Sequence, residues 1–324
     1  MPAEGCWWLQ PLYELLVSTV LSAPKVFTDD TTLPVLEPGR GRTKTGQLWC
    51  YAVDDRAWQG PGHPVAAYVY SEDRKAKRPA GHLAGFEGVL QVDGYAGFKR
   101  LAGDRADGSV TLAFCWAELP KVPRAQARGM AAEGHMRRGF YDFWVSTKSP
   151  LAAEVLARIR ELYAIEAEIR GHPAEHRRRV RDERSRPIVD ALHTWLHQHI
   201  DRVSAVSDLA KAMRYAIRHW PGSVVFLDDG RVEMDTNVVE RALRPSVLTR
   251  KNSLFAGSDG GARHWALAMT LIQTAKLNGV DPMAWLTDVL ERIVSGRTKA
   301  HELDTLLPWN WAAAQAHTPT SLAA

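Results

Sequence analysis

Three features of the sequence predict an α/β protein. Residues 1–117 carry short β-compatible runs broken by glycine-rich turns, residues 118–222 carry charged, helix-periodic stretches, and residues 223–324 return to mixed structure. In the first zone Lys25 to Asp29, Gln47 to Val53, Val65 to Tyr70, Gly88 to Asp93 and Val110 to Trp116 read as strands. Gly81 to Phe86 and Tyr95 to Ala102 read as short helical pieces, and Gly39 to Gly46 as a basic turn. In the second zone Ser149-Pro150 is a helix start, after which Val155, Ile159, Leu162 and Ile169 recur at helical spacing. Residues 175–186 are dominated by charge and read as a solvated helix, and Ser207 to Trp220 as a further helix stopped by Pro221. In the third zone Val224 to Leu227 and Arg231 to Met234 flank Asp228-Asp229-Gly230 like a hairpin. Helices follow Asn237, then from Ala262 to Asn278-Gly279, then from Asp281-Pro282.

The chain has 324 residues, enough for two ordinary domains or one large domain with an insertion. A net charge of +4 permits a nucleic-acid partner without demanding one. Cys6, Cys50 and Cys115 are too far apart for a zinc ribbon, and an odd number of cysteines suits a reducing cytoplasm. The apolar start, Met1 to Leu21, carries Glu4 and Glu14 and no basic leader, so it does not read as a signal peptide.

Chemistry concentrates on acidic residues at the ends of elements. Asp29 and Asp30 follow a strand-like run, so they point to opposite faces and only one can serve a shared site. Asp93 closes another strand before Gly94, and Glu240 falls in the first turn of a helix. Three carboxylates from separate segments suit Mg²⁺, which takes oxygen ligands. A pair of such ions can activate an attacking oxygen and stabilise a leaving one at phosphorus. Plainer readings stand beside this one. Asp29-Asp30 and Asp93-Gly94 suit turns, and Glu240 suits a capping box with Asn237 or an ion pair with Arg244.

Beyond these residues the sequence resembles transposases of the insertion-sequence-66 family, from about Trp7 to about Trp309. The resemblance rests on Asp29-Asp30-Thr31, Pro38 to Gly46, Leu83-Ala84-Gly85-Phe86, Leu90 to Gly97 and Cys115-Trp116-Ala117. Later matches are Asn237 to Pro245, Arg250-Lys251-Asn252, Phe255 to Ser258 and Lys276 to Gly279. It implies a ribonuclease-H-like mixed sheet with a helical insertion between the second and third catalytic acids. Residues 1–117 would begin the core, and 118–222 hold a loop insertion and a helical insertion domain. Residues 223–295 would complete the core, and 296–324 form a C-terminal extension.

The resemblance implies further that Asp29, Asp93 and Glu240 are the catalytic, metal-holding acids of a DDE-type enzyme using Mg²⁺, or Mn²⁺ in its place. Such an enzyme cleaves transposon ends and joins the freed 3′ hydroxyls to target DNA, with no side chain acting as nucleophile. DNA is thus the expected partner, contacted by Arg40, Arg42, Lys44, Arg241, Arg244, Arg250 and Lys251, because cationic side chains neutralise phosphates. Asn237 is expected to support Glu240. A homo-oligomeric active complex, accessory proteins of the same element and a cytoplasmic, nucleoid-associated location are also implied.

Two departures from the family pattern stand out. The N-terminal DNA-recognition region of complete members is expected to be missing, and residues 118–134 insert between Ala117 and His135. These departures motivate one rival, a DNA-binding remnant without activity; a second rival is a metal-dependent nuclease that cuts without joining. His193, His197 and His199 look like metal ligands, and His193 and His197 share a helical face, but with neither the Glu of an H-E-x-x-H motif nor a third ligand no zinc is expected there. Gly257 to Gly261 matches no nucleotide-binding fingerprint and reads as a turn before a helix.

Overall fold

The computed structural model describes residues 3–37, 39, 41–105, 108–116, 136–249 and 253–316. In chain order the elements are α1 (Ala3–Leu21), β1 (Lys25–Glu37), β2 (Arg42–Val53), β3 (Val65–Ser71), α2 (Lys77–His82), β4 (Gly88–Val92), α3 (Ala96–Asp104) and β5 (Val110–Phe114). Then come α4 (Met136–Thr147), α5 (Pro150–Ile169), α6 (Ala174–Val180), α7 (Arg186–Ile200), α8 (Asp208–Ser223) and α9 (Val225–Asp228). The last are α10 (Asn237–Thr249), α11 (Asp259–Leu277), α12 (Pro282–Val294) and α13 (Pro308–Ala316). A π-helical turn, Arg181–Ser185, joins α6 to α7. The fold is mixed α/β, with antiparallel and parallel strand pairing. It falls into two compact units: residues 1–54, 62–86 and 238–324, and residues 55–61 and 87–237.

In the first unit β2 pairs antiparallel with β1 on one side and β3 on the other. β1 runs to Glu37, well past the expected end, because its edge finds a second partner. Ala256 donates to the Pro34 carbonyl at 2.9 Å, and Leu36 donates to the Ala256 carbonyl at 2.8 Å. Phe27, Leu33, Val35, Leu48, Cys50, Ala52, Ala66 and Tyr68 pack against Val239 and Leu243 of α10 and Ala262, Ala266 and Met269 of α11. Helix α11 also closes the free edge of β3. The hydroxyls of Thr270 and Thr274 accept from the amides of Tyr68 and Ala66, at 2.8 and 3.2 Å. A covered edge offers no template for strand addition. Asp281 caps α12 through its side chain, as the sequence predicts, and Ser258 caps α11, which starts at Asp259, ahead of the expected Ala262.

In the second unit β4 and β5 are parallel, joined through α3. Their apolar face, with Val89, Ala113 and Trp116, packs with α4, α5, α7 and α8 around Phe140, Val155, Ile159, Leu162, Leu192 and Met213. Ser149 caps α5, and the spacing of Val155, Ile159, Leu162 and Ile169 buries all four.

Four expectations require correction, the first being the stop at Pro221, since α8 runs through that proline to Ser223. The hairpin at 224–234 is absent: Val225–Asp228 is helical, and Val232 and Met234 are buried in the core of the second unit. The solvated helix at 175–186 is not fully solvated, since Arg177 and Arg181 are 1% and 0% exposed. Their charges are met by Glu166 and Glu233, with Arg181–Glu166 at 2.6 Å and Arg177–Glu233 at 2.9 Å. Asp29, expected at a strand end, lies inside β1 opposite Cys50. The insertion at 118–134 lies outside the described residues.

Candidate functional site

Alternation along β1 separates the two adjacent acids. Arg74 grips the Asp30 carboxylate with both arms of its guanidinium, at 2.8 and 2.9 Å, and Gln47 donates to it as well. Asp29 Oδ1 accepts from the Asp30 amide at 2.7 Å. Its charge, together with burial as the larger cause, raises the pKa of the facing Cys50 thiol. Asp30 is thus committed to an ion pair, and Asp29 is partly exposed.

Asp93 stands directly after β4, where Gly94 turns the chain at φ +102°. Its Oδ1 accepts from the Tyr95 amide at 3.1 Å, ahead of α3. Around it stand groups that sequence reasoning missed. The Tyr215 hydroxyl donates to the Asp93 carbonyl at 3.5 Å. His219 Nδ1 meets the Tyr215 carbonyl at 2.8 Å, so that nitrogen carries the proton and Nε2 faces Lys99 as acceptor. Burial, then Arg218, lowers the Lys99 pKa against the pull of Asp93.

Gln91, two residues before Asp93 and fully buried, acts as a side-chain strand. Its Nε2 donates to the carbonyls of Glu233 and Asp235, at 2.9 and 3.2 Å, and its Oε1 accepts from the Glu233 amide at 2.9 Å. The irregular backbone at 233–235 is paired with this amide in place of a hairpin partner. Next to it the amide and hydroxyl of Thr236 donate to Cys115 Sγ, at 3.2 and 3.3 Å. The Asp235 carboxylate then accepts from the backbone and side-chain nitrogens of Asn237, at 3.2 and 2.6 Å, and α10 begins. Asn237 is therefore the first helical residue, with its amide turned to Asp235.

Glu240 lies in the first turn of α10 and is partly exposed, while Val239, Ala242 and Leu243 face the core. An acid there is favoured by the helix dipole. Arg241 and Arg244 are exposed, as is Arg42 at the start of β2. Lys44 is engaged: Asp259 Oδ2 takes its ammonium at 2.7 Å, and Tyr70 donates to Asp259 Oδ1 at 2.6 Å. Arg40, Arg250 and Lys251 lie outside the described residues.

Asp29 and Glu240 belong to the first unit, and Asp93 and Asn237 to the second. Carboxylate oxygens are the donors Mg²⁺ takes. Among the described residues, however, no group of three or more His, Cys, Asp or Glu is placed to hold a metal ion. The same residues include no helix long and apolar enough to cross a membrane.

By fold and residue chemistry this is a mixed α/β protein whose candidate acids stand on or beside regular elements. Its sequence matches the family described as Transposase IS66 family over residues 1–264 and the IS66 C-terminal element over residues 270–309. The chain belongs to the IS66 transposase family. It is similar to three uncharacterized proteins of Sinorhizobium fredii. Protein y4jD is 47% identical over 312 residues, covering 95% of this chain and 58% of the relative. Protein y4qI is 43% identical over 307 residues, covering 94% and 54%, and y4hP is 39% identical over 319 residues, covering 96% and 55%. The chain thus spans little more than half the length of these relatives.

Proposed function

We propose that this chain is the catalytic region of a DDE-type transposase with a ribonuclease-H-like core. It cleaves transposon-end DNA and transfers the strand to target DNA. The family match across residues 1–264 carries this reading. Asp93 at the end of β4 and Glu240 in the first turn of α10 support it, being two of the acids the family resemblance assigns. Asp29 is the third, favoured over Asp30 because Arg74 and Gln47 already occupy the Asp30 carboxylate. Mg²⁺, or Mn²⁺ in its place, is the proposed cofactor; when bound it would polarise the phosphoryl oxygens and favour departure of the leaving oxygen.

The chain's own residues bind and orient DNA. Arg42, Arg241 and Arg244 are exposed cations suited to phosphates, and Arg40, Arg250 and Lys251 join them by the family resemblance. Lys44 would contact a phosphate only by sharing its charge with Asp259. Asn237 acts on Glu240 through the start of α10. The working complex is a homo-oligomer on two DNA ends, assisted by accessory proteins of the element, in the bacterial cytoplasm at the nucleoid.

A second reading is a chain that binds DNA without catalysis. It is motivated by residues 118–134, which insert between Ala117 and His135 against the family pattern. One experiment separates the two: joining of labelled transposon-end DNA to a target plasmid with Mg²⁺ or Mn²⁺, for this chain and Asp93→Asn. Joined products that vanish in the variant support the transposase. Equal, salt-sensitive DNA binding by both proteins with no product supports the second reading. Cut ends without joined product would mark a nuclease.

A further inference from the structure

Helix α7 turns two imidazoles toward each other on its outer face. Nε2 of His193 and Nε2 of His197 are 3.2 Å apart, one helical turn apart in sequence. The two ring planes stand at 85° with centroids 4.6 Å apart. The His193 ring is itself stacked on Trp220 of α8, at 4.6 Å and 26°, so packing fixes its orientation, while His197 is exposed. His199 takes no part: its Nδ1 meets the Trp195 carbonyl at 2.8 Å and its ring lies on Trp195.

Two imidazole nitrogens held about 2.0–2.1 Å from a common Zn²⁺ and separated by 3.2 Å would subtend about 100° at the ion, near a tetrahedral angle. Both donors would use the same ring position, on one helix whose backbone fixes their spacing. We propose that His193 and His197 form a two-imidazole site for a divalent transition ion of the Zn²⁺ class, with water completing the coordination. Imidazole selects Zn²⁺, Cu²⁺ or Ni²⁺ over Mg²⁺, so the site takes a different ion from the one carboxylates take. Two further observations agree. Burial, then the neighbouring His197, lowers the His193 pKa, which favours the neutral ring that a metal ion requires. Asp190, one turn earlier on the same helix, adds negative charge beside His193. The site is independent of the transposase reading.

Calorimetric titration of the full chain with ZnCl₂ at neutral pH, in buffer holding excess Mg²⁺ to fill oxygen sites, tests this. One Zn²⁺ per chain is expected, and His197→Ala, an exposed position, should weaken it at least about tenfold. His193→Gln, which retains a planar group against Trp220, should do the same, and a retained unfolding midpoint would show that either variant is folded. Asp93→Asn should bind as the wild type does, which separates this site from the acidic one. His172 and His176, whose rings lie 4.8 Å apart, are the internal comparison. The proposal is overturned if the wild type shows no saturable binding, if both variants bind as tightly as it does, or if only the His172→Ala/His176→Ala protein loses the ion.

Discussion

Arg181 holds Glu166 by both arms, Nε to Oε1 at 2.7 Å and Nη2 to Oε2 at 2.6 Å, with no solvent reaching the guanidinium. The remaining arm of Arg181 donates to the Phe226 and Asp229 carbonyls, at 2.8 and 3.2 Å. Arg177 Nη2 shares the same Glu166 oxygen, Oε2, at 3.5 Å, and its Nη1 lies 2.9 Å from Glu233. Truncating one partner of a buried pair leaves the other charged and unsolvated. Arg181→Ala is therefore expected to cost about 3–5 kcal/mol. Arg178→Ala, three residues away on the exposed face and paired to Glu175, should fall within about 0.5 kcal/mol of the wild type. Urea unfolding of the two variants checks this contrast.

Asp29 and Asp30 are adjacent, yet their substitutions should act on different properties. Asp30→Asn weakens the Arg74 fork and is expected to lower stability by about 1–2 kcal/mol while leaving some joining activity. Asp29→Asn should reduce joining to background with an unfolding midpoint near that of the wild type. Loss of activity in Asp30→Asn alone would reverse the assignment.

His82 makes the stability of the first unit sensitive to pH. Burial, assisted by Arg78, lowers its pKa to about 4, and its Nδ1 accepts from the Tyr51 hydroxyl at 2.9 Å. Burial raises the Tyr51 pKa, so that hydroxyl remains the donor. The unfolded ring titrates near 6.5. Below that pH the unfolded chain takes up a proton that the folded one refuses. The contribution is complete above pH 6.5 and is lost as pH falls toward 4. The midpoint of urea unfolding should drop over that window in the wild type, and less steeply in His82→Gln.

Gln91→Leu retains bulk but leaves the Glu233 amide and the Glu233 and Asp235 carbonyls short of partners. About 1–3 kcal/mol is expected for each group left unpaired in the interior. Hydrogen exchange at the Glu233 amide should accelerate more than at amides of β5. Unchanged exchange would show that a neighbouring group replaces the amide.

Legibility in the sequence followed how local each cause was. The caps at Ser149 and Asp281 lie beside the amides they satisfy, and each marks its helix as read, whereas Ser258 stood in a glycine-rich stretch that reads as a turn. Helix α1 escaped notice because apolar residues lie on much of its surface and Pro11 interrupts the pattern, although Leu9, Leu12, Leu16 and Val20 form one buried face. The arginine run misled because its partners are remote: Glu166 lies on α5 and Glu233 beyond α9. The false hairpin had the same origin, since Gln91 stands 142 positions before Glu233. Asp29, Asp93 and Glu240 were legible as candidates chiefly through the family motifs around them, because Asp-Gly and Asp-Asp pairs also suit turns. Lys99, Tyr215 and His219 carried no motif at all.

The π turn at Arg181–Ser185 sets the phase of the helix that contains it. Arg177, Arg181, Ser185 and Val189 are all buried, four residues apart each time. In a uniform α-helix each such step overshoots a full revolution by about 40°, so three would carry the last side chain about 120° around the axis. The wider turn absorbs part of that rotation and lets two arginines, a serine and a valine share one inward line. Deleting a single residue within 181–185 should restore α-geometry at the cost of this alignment, swinging Val189, Leu192 and Leu196 away from the apolar layer they now enter.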